Sequence, residues 1–422
     1  MQQQKELNTA ARAGNQSVTG QKPRLKDRKV KDLTANKRRL VEVPYTATLG
    51  HTMNALLANK VVAVPVAAPP GHWIGAGGSM IMESDKHTGA VRKHYIGMVN
   101  MFDILAHIAG DDRMNGGDDS DAFNLDEKMS VPVSNIIGHC LEDLSLWTLN
   151  PNTSVLDCME LLSKGVHRAL VPVDSQMENV SGVELVESAS SYRMLTQMDL
   201  LMFVKEQQAD ELQGIMSRSV GELGAVNETV FAITDRTKVI EAIKNMRAAM
   251  LNAVPIVQST HTIHEDHSQL VEGGGRKVVG TFSATDLRGC HLASLKTWLR
   301  LTALHFTEEI LTSPLFSSSG VGSSRELVTC HVDSPLGEVI DKAVSQHVHR
   351  VWVVDRMGLL VGLVSLTDMI RVLRASILSE PNACLVELIS LNGPITYKDI
   401  DGMFGGGYML AYKLYSHTQP NV

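Results

Sequence analysis

Four aspartates, Asp103, Asp199, Asp286 and Asp368, recur at one place in a shared local pattern and lie 96, 87 and 82 residues apart. Three close a Ser/Thr-x-x-Asp motif: Thr196-Gln-Met-Asp199, Ser283-Ala-Thr-Asp286 and Ser365-Leu-Thr-Asp368. The other, Asn100-Met-Phe-Asp103, carries Asn in place of the hydroxyl, and Asn caps a helix as well. A motif of this kind opens a helix, where the hydroxyl satisfies an orphan N–H and the carboxylate suits the positive helix end. The same position can also do binding chemistry. A helix N-terminus at a sheet edge attracts anions, and a carboxylate there can accept hydrogen bonds from ribose hydroxyls. Capping and binding both stay open for each aspartate, and fourfold recurrence favours binding. Bond-breaking chemistry is not indicated, because the chain shows no nucleophile–base pair and no P-loop.

The elements that must position these aspartates are repeated too. Segments of 19 residues end in apolar runs: Thr48 to Val66, Val155 to Val173, Val239 to Val257 and Leu336 to Val354. Each predicts an amphipathic helix followed by a short strand, which carries Pro in the first three. A variable polar loop, a second strand and the Asp-led helix follow. The loops absorb the length differences, running over Ala67 to His94, Asp174 to Ser191 and Gln258 to Lys277 but only Asp355 to Gly358 in the last. One such unit cannot bury both faces of its small sheet, so the four must pair and the pairs must stack. The expected fold class is α/β (α+β).

Composition agrees with a globular protein of several domains: 422 residues, 44% hydrophobic and 20% charged. The net charge of −7 is an average. Lys22 to Arg39 holds nine cations and two acids, a local +7, so the remainder carries −14. That stretch is expected to be a solvated basic arm. Gly110 to Glu127, rich in Asp around Gly116-Gly117, is expected to be a linker. The mildly acidic bulk gives no expectation of nucleic-acid binding. Five separated cysteines without a Cys-x-x-Cys pair indicate a reducing compartment and no structural zinc. No apolar run is long enough for a membrane span, so a cytoplasmic or nuclear location is expected. His261, His264 and His267 are spaced three apart, but their Ser, Thr and Gly neighbours indicate a loop rather than a metal face.

Two further tokens make the pattern specific. Val166-His167-Arg168 stands in the second unit, and Val348-His349-Arg350-Val-Trp-Val-Val-Asp355 in the fourth, followed by Gly362-Leu-Val-Ser-Leu-Thr-Asp368. With Met216 to Leu223 between the middle units, these features resemble CBS domains. They resemble in particular the gamma regulatory subunit of AMP-activated (sucrose-non-fermenting type) protein kinases, over about four-fifths of the chain, and the long loops suggest a plant gamma-like branch. The resemblance implies four CBS repeats paired into two Bateman modules forming a disc. It divides the chain into a basic flexible arm (1–28), repeat one (29–108), an acidic linker (109–128), repeat two (129–206), repeat three (207–295), a linker (296–323), repeat four (324–376) and a divergent tail (377–422).

It also implies regulatory AMP, ADP or ATP in the clefts, with no cofactor required, and a kinase catalytic alpha-type subunit and a beta-type subunit as partners. In that view the aspartates hold ribose, while Thr196, Ser283, Ser365 and Thr367 approach the sugar-phosphate. His167-Arg168 and His349-Arg350 meet the phosphates, Arg through its planar fork and His through a donor whose charge responds near neutral pH. Repeats one and three depart from the family pattern, since Val62-Ala63 and Asn252-Ala253 stand where the His-Arg pairs would be. The strongest binding is therefore expected at Asp368, with both His-Arg pairs in reach. Two other classes compete: a stand-alone CBS protein binding adenosyl ligands to regulate another enzyme, and a scaffold with degenerate pockets.

Overall fold

The computed structural model describes residues 24–68, 95–110, 125–137, 146–173, 191–207, 212–260, 265–289, 292–312 and 327–379. Residues 1–374 form one compact unit and 375–422 another, of which only 375–379, the end of the last helix, are described.

Each repeat builds the same small mixed sheet. In repeat one, β1 (Val43–Pro44) lies parallel to β2 (Ala63–Ala67), which pairs antiparallel with β3 (Tyr95–Asn100). Repeat two repeats this with β4 (Trp147–Thr148), β5 (Arg168–Pro172) and β6 (Tyr192–Thr196). Repeat three uses β7 (Phe231–Thr234), β8 (Ala253–Val257) and β10 (Val278–Ser283), and its loop adds an edge strand, β9 (Val271–Glu272). Repeat four uses β11 (Thr329–Cys330), β12 (Arg350–Val354) and β13 (Leu360–Ser365). The parallel step needs a crossover, and the amphipathic helices supply it: α2 (Leu49–Asn59), α5 (Val155–Ser163), α8 (Val239–Ala248) and α11 (Leu336–Ser345). Proline is tolerated in β2 and β8 because the parallel neighbour covers only Val66-Ala67 and Ile256-Val257, beyond Pro65 and Pro255.

Each crossover helix ends on a left-handed residue: Lys60 (φ 52°), Gly165 (φ 93°), Met250 (φ 54°) and His347 (φ 50°). Thr48 and Ser154 start theirs by accepting from the N–H groups of His51 and Asp157, both at 3.1 Å.

The Asp-led helices are α3 (Met101–Ala109), α6 (Gln197–Gln207) and α12 (Leu366–Ser379). Repeat three departs here: Asp286–Gly289 forms a 3-10 turn, and α9 (Leu292–Trp298) and α10 (Ala303–Thr312) come after it. Thus part of the stretch expected to be a linker, 296–323, is helix.

Sheets of repeats one and two meet through an edge-on Tyr95–Tyr192 contact (5.6 Å, 70°), with Leu170 and Met194 beside it. Sheets of repeats three and four meet around Trp352, whose Nε1 donates to Thr281 Oγ1 at 2.7 Å. Helices close the other two sides. Residues of α3 and α8 share one continuous core that joins repeats one and three. Lys205–Asp341 at 2.8 Å, Gln197 to Thr367 at 2.8 Å and Arg374–Glu160 at 2.8 Å join repeats two and four. Contacts therefore run one to two, two to four, four to three and three to one.

The basic stretch is docked from Arg24 onward, which corrects the expected solvated arm. Leu25, Val30 and Leu33 are buried, and α1 (Val30–Thr34) is held on repeat two by Val30 N–H to Thr153 C=O (2.9 Å) and Lys31 N–H to Pro151 C=O (2.8 Å). Its apolar residues at 25, 30 and 33 were outweighed by the cations around them. The Met216 to Leu223 segment docks likewise, with Val220 N–H donating to Ser334 C=O at 3.0 Å.

Candidate ligand-binding site

All four aspartates sit at equivalent positions and all four act in caps. Asp103 Oδ2 accepts from Asn100 N–H (2.8 Å), Asp199 Oδ2 from Thr196 N–H (2.8 Å), Asp286 Oδ2 from Ser283 N–H (2.9 Å) and Asp368 Oδ2 from Ser365 N–H (3.1 Å). The hydroxyls of Thr196 and Ser365 donate to the same oxygens at 2.7 and 2.5 Å. In repeat three the Ser283 hydroxyl turns to Thr285 Oγ1 instead, at 2.6 Å. Capping uses Oδ2 in every case.

The strand registers decide which residues stand beside each aspartate. Arg168 pairs across with Thr196 and Arg350 with Ser365; Ala63 pairs with Asn100 and Ala253 with Ser283. The second residue of each His-Arg pair therefore faces the first residue of a capping motif, and Ala63 and Ala253 are its true counterparts.

Five of these eight residues, Arg168, Arg350, Asn100, Ala253 and Ser283, converge on one cavity of about 370 Å³. Asp286 and Ser283 line it with Thr285, beside Arg168 from repeat two and His349 and Arg350 from repeat four. Val62 and Asn100 enter from repeat one, and Asn252 and Ala253 from repeat three. Arg350 is braced by a 2.8 Å hydrogen bond from Nη1 to the Ala253 carbonyl. Trp352, Thr281 and Leu304 supply further wall, and Thr307 and Glu308 continue it along α10. Asp286 is only 5% exposed, whereas His349 is exposed. Buried carboxylate, two guanidiniums and an apolar wall are the parts a nucleoside phosphate needs.

The remaining sequence candidates lie elsewhere. Asp368, on which the expectation centred, does not line this cavity; Arg371 of its own helix reaches its Oδ1 at 3.4 Å. Thr367 accepts the Gln197 amide at the interface of repeats two and four. Asp199 receives the Lys37 ammonium as well as its cap. Asp103 is 1% exposed under α3. His167 is half-buried and its carbonyl accepts from Gln197 N–H at 3.2 Å. Of the three loop histidines, His261 and His264 lie outside the described residues, and His267 Nδ1 shares a 3.0 Å hydrogen bond with Thr234 Oγ1. No group of three or more metal-type side chains occurs among the described residues. Sequence reasoning missed the α10 wall, although Leu304, Thr307 and Glu308 have the i, i+3, i+4 spacing of one helix face.

Four mixed sheets, each with its Asp-led turn, define the class: this is a protein of four CBS repeats. The CBS domain family model matches residues 320–375. A SNF1-related protein kinase regulatory subunit gamma-like protein of Arabidopsis thaliana, PV42a, is 63% identical over 350 residues, covering 82% of this chain and 95% of the relative. A second, PV42b, is 58% identical over 356 residues, with 84% and 97% covered. Among solved structures, protein MJ1225 of Methanocaldococcus jannaschii, described as a putative archaeal homolog of gamma-AMPK, has the same fold. It superimposes with a TM-score of 0.53 at 16% identity, over 82% of this chain and 99% of its own. The chain belongs to the SNF1-related protein kinase regulatory subunit gamma-like family, whose members are regulatory and not catalytic subunits. No described helix is long and apolar enough to cross a membrane.

Proposed function

We propose that this chain regulates a SNF1-related Ser/Thr kinase as its gamma-type subunit, assembled with a catalytic alpha-type and a beta-type subunit, and that it takes AMP, ADP or ATP in the Asp286 cavity. The observation that carries this reading is the meeting of Asp286 with Arg168, His349 and Arg350 from three repeats around one cavity. In this assignment Asp286 accepts the ribose hydroxyls. The guanidiniums of Arg168 and Arg350 take the phosphates, and the side wall by Leu304 and Trp352 takes the base. His349 adds a further donor to the phosphates when protonated. A nucleotide so placed bridges repeats two, three and four. It would regulate by favouring whichever arrangement of the repeats holds these groups together, in proportion to its difference in affinity between arrangements.

Isothermal titration of the purified chain with the three nucleotides tests binding, and co-purification with the kinase subunits in the presence and absence of AMP tests assembly. Heat that disappears in Arg350→Ala, with affinity that falls about tenfold in Asp286→Asn, supports the reading. Kinase capture with no nucleotide heat would leave the scaffold with degenerate pockets in its place. Nucleotide heat with no kinase capture would leave the stand-alone regulator.

A further inference from the structure

The capping aspartates of repeats two and three hold equivalent positions but are faced differently. In front of Asp286 stands α10, which presents Leu304, Thr307 and Glu308 to the cavity. In front of Asp199 stands the docked basic segment, which presents Lys37. Its ammonium reaches Asp199 Oδ2, the oxygen that already accepts the N–H and the hydroxyl of Thr196. Three donors converge on that one oxygen, and its charge is balanced inside the chain. Both partners are substantially shielded, at 27% and 21% side-chain exposure, so the pair is not a freely solvated surface contact.

Lys37 is also presented by a rigid support. Beyond the α1 hydrogen bonds, Val155 N–H donates to Arg28 C=O at 2.9 Å and Arg193 Nη1 to Thr34 C=O at 2.9 Å. Arg28 itself donates to Gln207 Oε1 at 3.0 Å and lies 5.9 Å from the Phe203 ring centroid. Leu40, just beyond Lys37, packs with Leu170, Tyr192 and Met194 where the sheets of repeats one and two meet. The backbone that carries the lysine is thus held in place by its neighbours, and the ammonium neutralises the carboxylate that ribose hydroxyls would otherwise use as an acceptor.

We propose that Lys37 is a tethered counter-ion that closes the Asp199 cleft, so that it selects which clefts of this chain accept an adenine nucleotide. The inference rests on the reading of the clefts as nucleotide sites. Removing the ammonium restores the net negative charge of a carboxylate whose capping partner Thr196 pairs across the strand with Arg168, and a second nucleotide equivalent can then enter.

The test is calorimetric titration of AMP into the full chain as wild type, Lys37→Met, Lys37→Arg and Lys37→Met/Asp199→Asn. Amide hydrogen exchange at residues 30–34 is followed in parallel. A second equivalent in Lys37→Met alone, with wild-type exchange, is the expected result. Unchanged stoichiometry in Lys37→Met while the wild type binds would overturn the inference and leave the nucleotide reading intact. A second equivalent in Lys37→Arg, or one that comes with accelerated exchange at 30–34, would show that the ammonium is not what closes the cleft. Absence of heat from every protein would remove the nucleotide reading and this inference with it.

Discussion

At the scale of the residue, the four aspartates are chemically alike and their surroundings make them different. Asp286→Asn keeps a cap acceptor but gives up the charge, so AMP affinity should fall about tenfold, the loss of one charge-assisted hydrogen bond. Asp103 does not itself line the cavity, so Asp103→Asn should lower that affinity less; titration of both variants checks the contrast. Glu160 offers a pH test. Its hydrogen bond from Lys164 outweighs partial burial and, helped by Arg374, holds the carboxyl below the usual 4.5. A lowered folded pKa means stability that is present above pH 4.5 and lost as pH falls through the folded value. Glu160→Gln should therefore lower the melting temperature slightly at pH 7, and the difference should vanish in acid. The effect is small, about 0.5 kcal/mol, because the side chain is 42% exposed. Cys158 and Cys330 behave differently: burial pushes both thiols up to about 12. Mass-spectrometric mapping after alkylation of the native chain should find these two unmodified at pH 8 and modified once the chain unfolds.

At the scale of the element, the helix ends carry the clearest expectation. Met250 adopts a left-handed conformation and the residue is 58% exposed, so little packing is lost on removing its side chain. Met250→Gly should stabilise the fold by up to about 1 kcal/mol, read from urea unfolding, because glycine lacks the Cβ that opposes this conformation. The reverse holds in β13. A Cβ on Gly362 would stand 2.6 Å from the Asn227 carbonyl oxygen and 2.8 Å from Val226 Cγ1. Gly362→Ala should cost about 1–3 kcal/mol and loosen the segment that leads into repeat three. The grammar of helix, strand, strand and Asp-led helix was legible in the sequence because hydrophobic period and capping chemistry are local. The β9 edge strand and the 3-10 turn at Asp286 were not, because each depends on contacts between distant segments.

At the scale of the molecule, the repeats do not divide into two independent halves. The core shared by α3 and α8 joins repeat one to repeat three, with Leu105, Ile108, Ile243 and Met246 buried in it. A chain ending at residue 206 would expose the α3 face, and it should aggregate or self-associate in sedimentation analysis where the full chain does not. A cut between modules is thus a cut through a core.

The sequence by itself determined the number of repeats, the place of the aspartates, the absence of cations at the pair positions of repeats one and three, and the family. All of these are recurrences or residue types, which need no knowledge of neighbours. Only the tertiary structure decided that Asp286 and not Asp368 faces the Arg168 and Arg350 guanidiniums across a cavity, and that Lys37 answers Asp199. The physical reason is that equivalent carboxylates share a local motif but not a facing wall. That wall comes from α10 for one repeat and, for another, from the docked basic segment, whose Lys37 is 162 positions from Asp199.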